Sequence, residues 1–256
     1  MAIGLFAVQT PAAGSRLKAG MTAEGRGYEA AVAELLASRQ EDLPMRHRAP
    51  YLFLMCNDYE QHIRYAEYRQ ALGEVGLVPA AHQGEADLPP ADDIRIGDLG
   101  PVMRKEGGEV TLSSMTFGFP PPAGKKAGPV FNFRSEGRSF GESRRCLIPA
   151  SAFFEFTGTK YPKAKHRFTL NGAPFLCIAG LWRDAPGGGD SNQPPAFTML
   201  TTAPGPDVAP IHNRQVVVLK PEAWRHWLDL DTPEAGLLLP LPAGSLTVEQ
   251  VRAGSD

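Results

Sequence analysis

The stretch Arg145-Cys146-Leu147-Ile148-Pro149-Ala150-Ser151-Ala152-Phe153-Phe154-Glu155-Phe156-Thr157 decides the fold class. Its apolar runs, 145–148 and 153–157, are too short for helices and are separated by a proline-containing break, so each reads as a strand. On the C-terminal side a strand is predicted over 166–170. Asn171-Gly172 follows as a hairpin signal, with a second arm over 175–182. Beyond the loop Gly187-Gly188-Gly189, strands are predicted over 197–202 and 215–219. Lys220-Pro221-Glu222-Ala223 then opens a helix that carries Trp224, Trp227 and Leu228 on one face.

On the N-terminal side, 109–119 and 130–133 read as strands, and 77–100 as a surface connection with a short strand at 94–96. Tyr59, Ile63, Ala66 and Leu72 fall near helical spacing, with Gly73 and Gly76 as a stop, so a helix is predicted over 59–72. Many short strands with two or three helices predict an α+β domain: an antiparallel, barrel-like β-sheet core with a few peripheral helices. A short helix is predicted near 28–38, in a segment rich in Ala, Gly and Arg that ends at residue 54.

Composition narrows the function classes. The 256 residues can bury a substantial core, and a net charge of -2 gives no global signal for nucleic acid, leaving room for a local basic groove. Three cysteines, Cys56, Cys146 and Cys177, make no disulfide framework in a chain this long, and reduced thiols in the cytoplasm are expected. No His/Cys spacing suits a metal, and no glycine-rich loop joins a strand to a helix, so neither a metal nor a nucleotide cofactor is expected. No apolar run is long enough to span a bilayer, and no signal peptide is evident. A monomer is the default expectation.

Four segments place polar groups among apolar neighbours. Met55-Cys56-Asn57-Asp58 resembles the start of a protein although it lies far into the chain. Asn132 sits between Phe131 and Phe133, and reads either as a turn-proximal hydrogen-bonding residue or as a site residue. Glu155, between Phe154 and Phe156, suits a general acid in an apolar setting or an ion pair. His212 reads as structural or catalytic, and Arg214 as a phosphate ligand or a solvated surface charge. No single segment decides between its readings.

Together they do. The ordered set Cys56, Asn132-x-Arg134-x-Glu136, Arg145 to Glu155, and Thr201-Thr202-Ala203 followed by Pro210-Ile211-His212-x-Arg214 resembles the SOS response-associated peptidase (SRAP) family. That family includes proteins that shield abasic sites in single-stranded DNA. The resemblance runs from Met55 to the C-terminus and includes Ala179-Gly180-Leu181-Trp182 and 115–120. It implies that Met55 is removed and that Cys56, with amine and thiol both free, links covalently to the abasic sugar. Residues 1–54 would then be a misassigned start or a pro-segment, and 55–256 the catalytic domain.

By the same resemblance, Asn132 orients the Cys56 amine, Glu155 moves protons and His212 stabilises the sugar oxygen. Arg134, Arg214 and Thr201 hold the DNA backbone. Phe117 and Phe156 stack on bases, with core packing as the alternative for both. The implied partner is single-stranded DNA containing abasic sites. The chain departs from the family at Asp58, where an arginine is common; an aspartate there repels phosphate unless it faces away. The competing functions are a thiol peptidase or amidase acting on other substrates, and a non-catalytic single-strand binding module.

Overall fold

The computed structural model describes residues 57–80, 88–121, 126–186 and 193–256. The predicted 28–38 helix, Cys56 and Gly187-Gly188-Gly189 lie outside the described residues. The chain runs β1 (Asp58–Gln61), α1 (Tyr65–Glu74), β2 (Ala91–Arg95), β3 (Leu99–Glu106), β4 (Glu109–Phe117) and β5 (Asn132–Arg134). Then come β6 (Arg145–Ala150), β7 (Ala152–Thr157), β8 (Ala164–Leu170), β9 (Leu176–Arg183), β10 (Ala196–Thr202), β11 (Gln215–Val216) and β12 (Val218–Leu219). It closes with α2 (Pro221–Asp229), α3 (Glu234–Leu237) and β13 (Leu246–Arg252).

The strands form two sheets. One has the order β13-β8-β7-β1-β2; in the other, β10, β4, β3, β6 and β9 pair in turn and β9 pairs back to β10. That closure makes a five-stranded ring, which β5, β11 and β12 extend, and the α+β, barrel-like expectation holds. The sheets are not wholly antiparallel. β10 runs parallel to both β4 and β5, because the chain travels through β6 to β9 before returning and so supplies the long crossover that parallel neighbours need.

Alternation along the strands sorts side chains into two cores. Cys146 and Ile148 of β6 join a cluster with Tyr59, Phe117, Phe153, Phe168 and Phe197, drawn from both sheets. Leu147, between them, joins a second cluster with Tyr68, Leu72, Phe175, Trp224 and Trp227 under α1 and α2. α2 begins with Pro221 at its first turn and buries Trp224, Trp227 and Leu228, as its spacing predicts. The Trp227 indole N–H donates to the Cys146 carbonyl at 2.9 Å, so this buried polar atom is satisfied.

Three local expectations are corrected. The predicted 59–72 helix starts only at Tyr65, because 58–61 is strand: Tyr59 pairs with Ile94 of β2 and Phe153 of β7 and is fully buried. Sheet pairing here overrides the helical spacing, and the Glu67 carboxylate, accepting the Arg64 N–H at 3.0 Å, marks where the helix begins. The 77–100 connection carries all of β2 and the start of β3.

Asn171-Gly172 is a turn but joins no hairpin. β8 pairs with β7 and β13, whereas β9 belongs to the ring. The Asn171 side chain instead donates to the Gly244 carbonyl at 2.9 Å, which seats β13 on the edge of β8. The packing of β1 on the ring needs glycine at one point: a Cβ on Gly100 would lie 1.8 Å from the Tyr59 hydroxyl.

Candidate active site

β7 lies between β1 and β8 and carries Glu155 opposite His166. Glu155 is fully buried, and its Oε2 lies 3.7 Å from Nδ1 of His212, itself mostly buried. His212 is held by its own loop. Its Nδ1 lies 3.2 Å from the Arg214 N–H and 2.9 Å from the Arg214 carbonyl, two contacts that suit opposite tautomers. At 3.7 Å Glu155 and His212 are in ion-pair contact rather than hydrogen-bonded, and can act together on the protons of one bound group.

Arg214 extends the cluster. Its guanidinium forks onto both oxygens of Glu136, and Nη2 donates to Thr201 Oγ1 at 3.1 Å. Nε of Arg214 is buried with no hydrogen-bond partner among the described residues. The fork holds the Glu136 carboxyl below its ordinary range, the Arg214 hydrogen bonds being the main cause. Arg134 lies exposed on β5 in register with Thr201, and Asn132, half-buried, pairs with Met199 on the same strand.

The β1–β7 register connects this cluster to the start of the family-like region. Tyr59 faces Phe153 and Glu60 faces Ala152. Two steps back from Tyr59, just before β1 begins, continuation of this register sets Asn57 opposite Glu155. Asn57 and Phe156 in fact line one cavity of about 310 Å³, with Asp58, Arg95, Tyr161, Lys163, Lys165 and Arg252 among its other walls.

Asp58 does not present a bare negative charge. It is 4% exposed, and the Lys165 ammonium lies 3.1 Å from its Oδ2 and also bonds Asp93. Burial pushes the Asp58 carboxyl up to about 7, aided by a hydrogen bond shared with Asp93 and opposed by Lys165. Asp93 moves the other way. Its partial burial acts upward but is outweighed by hydrogen bonds from Lys165 and Asp58, which keep it below the usual carboxylate range.

The structure therefore brings Glu155, His212, Arg214 and Thr201 into one cluster, with Arg134 alongside, and sets Phe156 at a separate cavity wall. Phe117 is fully buried, stacked on Phe197 at 5.1 Å, so of its two readings it presents the packing one. The residues 160–165, Lys-Tyr-Pro-Lys-Ala-Lys, were the local signal for the basic side of the cavity. Nothing in sequence pointed to Arg252 or to the Asp58–Lys165–Asp93 network. Among the described residues, no group of three or more His, Cys, Asp or Glu side chains could hold a metal, and no helix is long and apolar enough to cross a membrane.

Closed ring, second sheet and buried carboxylate–imidazole pair define the class. The sequence profile of the SOS response associated peptidase (SRAP) family matches residues 55–254, and the chain belongs to that family. It is 31% identical over 164 residues to the abasic site processing protein YoqW of Bacillus subtilis (strain 168), covering 57% of this chain and 71% of that protein. It is 30% identical over 165 residues to YobE of the same strain, also described as an abasic site processing protein, covering 57% and 73%. A crystal structure from Bordetella bronchiseptica shares the fold at TM-score 0.56 and 22% identity, over 77% of this chain and all of that one. Another, from Bacteroides thetaiotaomicron, does so at TM-score 0.57 and 17% identity, over 77% and 92%.

Proposed function

We propose that this protein processes abasic sites in single-stranded DNA by forming a covalent adduct through Cys56, once the residues before it are removed. The observation that supports the reading is the β1–β7 pairing of Tyr59 with Phe153 and Glu60 with Ala152, whose continuation sets Asn57 opposite Glu155. Cys56 is peptide-bonded to Asn57, and adjacent Cα atoms are about 3.8 Å apart. We assign the nucleophile, on this basis, to the neighbourhood of Glu155, which has His212 at 3.7 Å.

The steps follow from the groups. The ring-opened abasic sugar offers an aldehyde, and an α-amine with a pKa of about 8 is partly neutral near pH 7. Amine and aldehyde condense to an imine with loss of water, for which Glu155 supplies the proton and His212 steadies the departing oxygen. The Cys56 thiol then adds to the imine carbon. A C–S bond forms, the thiol proton passes to nitrogen, and the product is a five-membered thiazolidine. While Cys56 stays bonded to Met55 its nitrogen is an amide and none of this begins.

Glu155 is also the group we assign to release of Met55, which makes the chain a self-processing thiol peptidase and residues 1–54 an extension outside the catalytic domain. Asn132 orients the amine, and Arg134, Arg214 and Thr201 hold backbone phosphates. The protein acts as a monomer on cytoplasmic, nucleoid-associated DNA.

The test uses protein expressed from Met55, shown by mass to begin at Cys56, and a single-stranded oligonucleotide with one abasic site. The expected result is a heat-stable shifted band on a denaturing gel that Cys56→Ala abolishes. An equal band from Cys56→Ala, or none from the unmodified protein, overturns the reading.

A further inference from the structure

We propose that the cavity beside Asn57 is a second single-strand subsite, in which Lys163 and Arg252 take phosphate and Tyr161 and Phe156 take the faces of neighbouring bases. This rests on the reading above that the chain acts on single-stranded DNA, and adds a binding region on the far side of β7 from Arg214. The volume, about 310 Å³, matches one small ligand unit.

Four cations line the cavity, and they are not equivalent. Lys165 is held between Asp58 and Asp93, and Arg95 donates to Asp93 at 2.9 Å, so both are largely neutralised. Among the described residues, neither Lys163 nor Arg252 has a carboxylate within ion-pair distance. Each stands instead beside an aromatic ring: Lys163 Nζ is 5.8 Å from the Tyr161 ring centre, and the Arg252 guanidinium carbon is 5.8 Å from that of Phe156. Tyr161 is 76% exposed. Lys163 feels only the more distant charge of Asp256, and a cation beside an aromatic ring occurs twice in one cleft, with Tyr161 exposed and Phe156 half-buried, which suits a polyanion that carries flat bases.

The loop bearing Tyr161 and Lys163 is also held in shape. The Asp256 side chain accepts the N–H groups of Thr159 at 2.5 Å and Lys160 at 2.8 Å. The Ser255 N–H donates to the Pro162 carbonyl at 3.0 Å and its hydroxyl to the Tyr161 carbonyl at 2.9 Å. Arg252 Nε donates to the Lys163 carbonyl at 3.1 Å. The segment after β13 thus fixes the backbone from which ring and ammonium project, which lowers the ordering cost of binding.

The experiment is fluorescence anisotropy of the full chain with a labelled, undamaged oligothymidine across a salt series. Lys163→Glu and Arg252→Glu are each expected to weaken binding about tenfold at low salt and to flatten the log–log salt slope by about 0.7. Tyr161→Ala, which removes an exposed ring that packs no core, is expected to weaken it about fivefold with the slope unchanged.

Affinity and slope within twofold of the unmodified chain for all three variants, each with unaltered thermal unfolding, overturn the subsite. So does an absence of single-strand binding by the unmodified chain. The two readings fail separately. Loss of binding in the variants with no adduct on abasic DNA keeps the subsite and removes the covalent function; an adduct with unchanged variants does the reverse.

Discussion

Glu155 Oε2 and His212 Nδ1 stand 3.7 Å apart, one on a central strand of the five-stranded sheet and the other on the loop before β11. Both side chains are almost wholly withdrawn from solvent. Glu155→Gln keeps the shape and hydrogen-bonding reach of the side chain but removes its capacity to carry a proton. Single-turnover adduct formation should slow by about a hundredfold or more, and removal of Met55 should slow with it. Unchanged rates for both reactions would eliminate Glu155 as the acid–base group.

Glu136 occupies the Arg214 donors that the proposed phosphate contact needs. Because Glu136 is nearly half exposed, the pair contributes less than about 1 kcal/mol to stability. Glu136→Gln should therefore leave the unfolding midpoint nearly unchanged and tighten single-strand binding several-fold. Arg214→Lys should loosen binding, since an ammonium cannot reproduce the fork. Anisotropy titrations decide this, and weaker binding by Glu136→Gln would show that the carboxylate orients Arg214 rather than masking it.

Asp58 makes stability depend on pH with a definite sign. Its folded pKa of about 7 exceeds the ordinary 3.8, so between those values the native state keeps a proton that the unfolded chain has lost. Stability from this group falls as pH rises through that window and levels above 7. Asp58→Asn removes the effect while Lys165 keeps Asp93. The stability gained on this substitution, from urea unfolding, should be larger at pH 8 than at pH 5, by about 2–3 kcal/mol. An equal change at both pH values would refute the assignment.

Gly100 is needed for the Tyr59 hydroxyl. With a Cβ 1.8 Å from that oxygen, Gly100→Ala should cost about 1–3 kcal/mol through overpacking. Adding Tyr59→Phe should restore most of the loss. Chemical unfolding of the single and double variants tests the coupling, and strict additivity would place the strain elsewhere.

Strands with apolar alternation or dense apolar text, such as β6, β7 and β10, were legible because their own residues report burial. β1 was not: all four of its residues, Asp58 to Gln61, are buried, so no period of two marks it. β13 was missed for the opposite reason, since after Leu246 its residues, Val248 and Val251 included, are exposed on a sheet edge and show no alternation of burial. The Asn171-Gly172 turn was read correctly as a turn and wrongly as a hairpin, because a turn signal cannot say which sheet the next strand joins.

The sequence by itself determined the candidate set, Cys56, Asn132, Glu155, His212 and Arg214, because their types and order carry the family's chemistry. It also determined that short strands would build the core. Only the tertiary structure decided that Glu155 meets His212, that Arg214 is shared between Glu136 and Thr201, and that Asp58 turns inward to Lys165. It alone set Arg252 beside Phe156. Each of these is a contact between residues distant along the chain, fixed by which strands pair and in what register. Local spacing encodes neither.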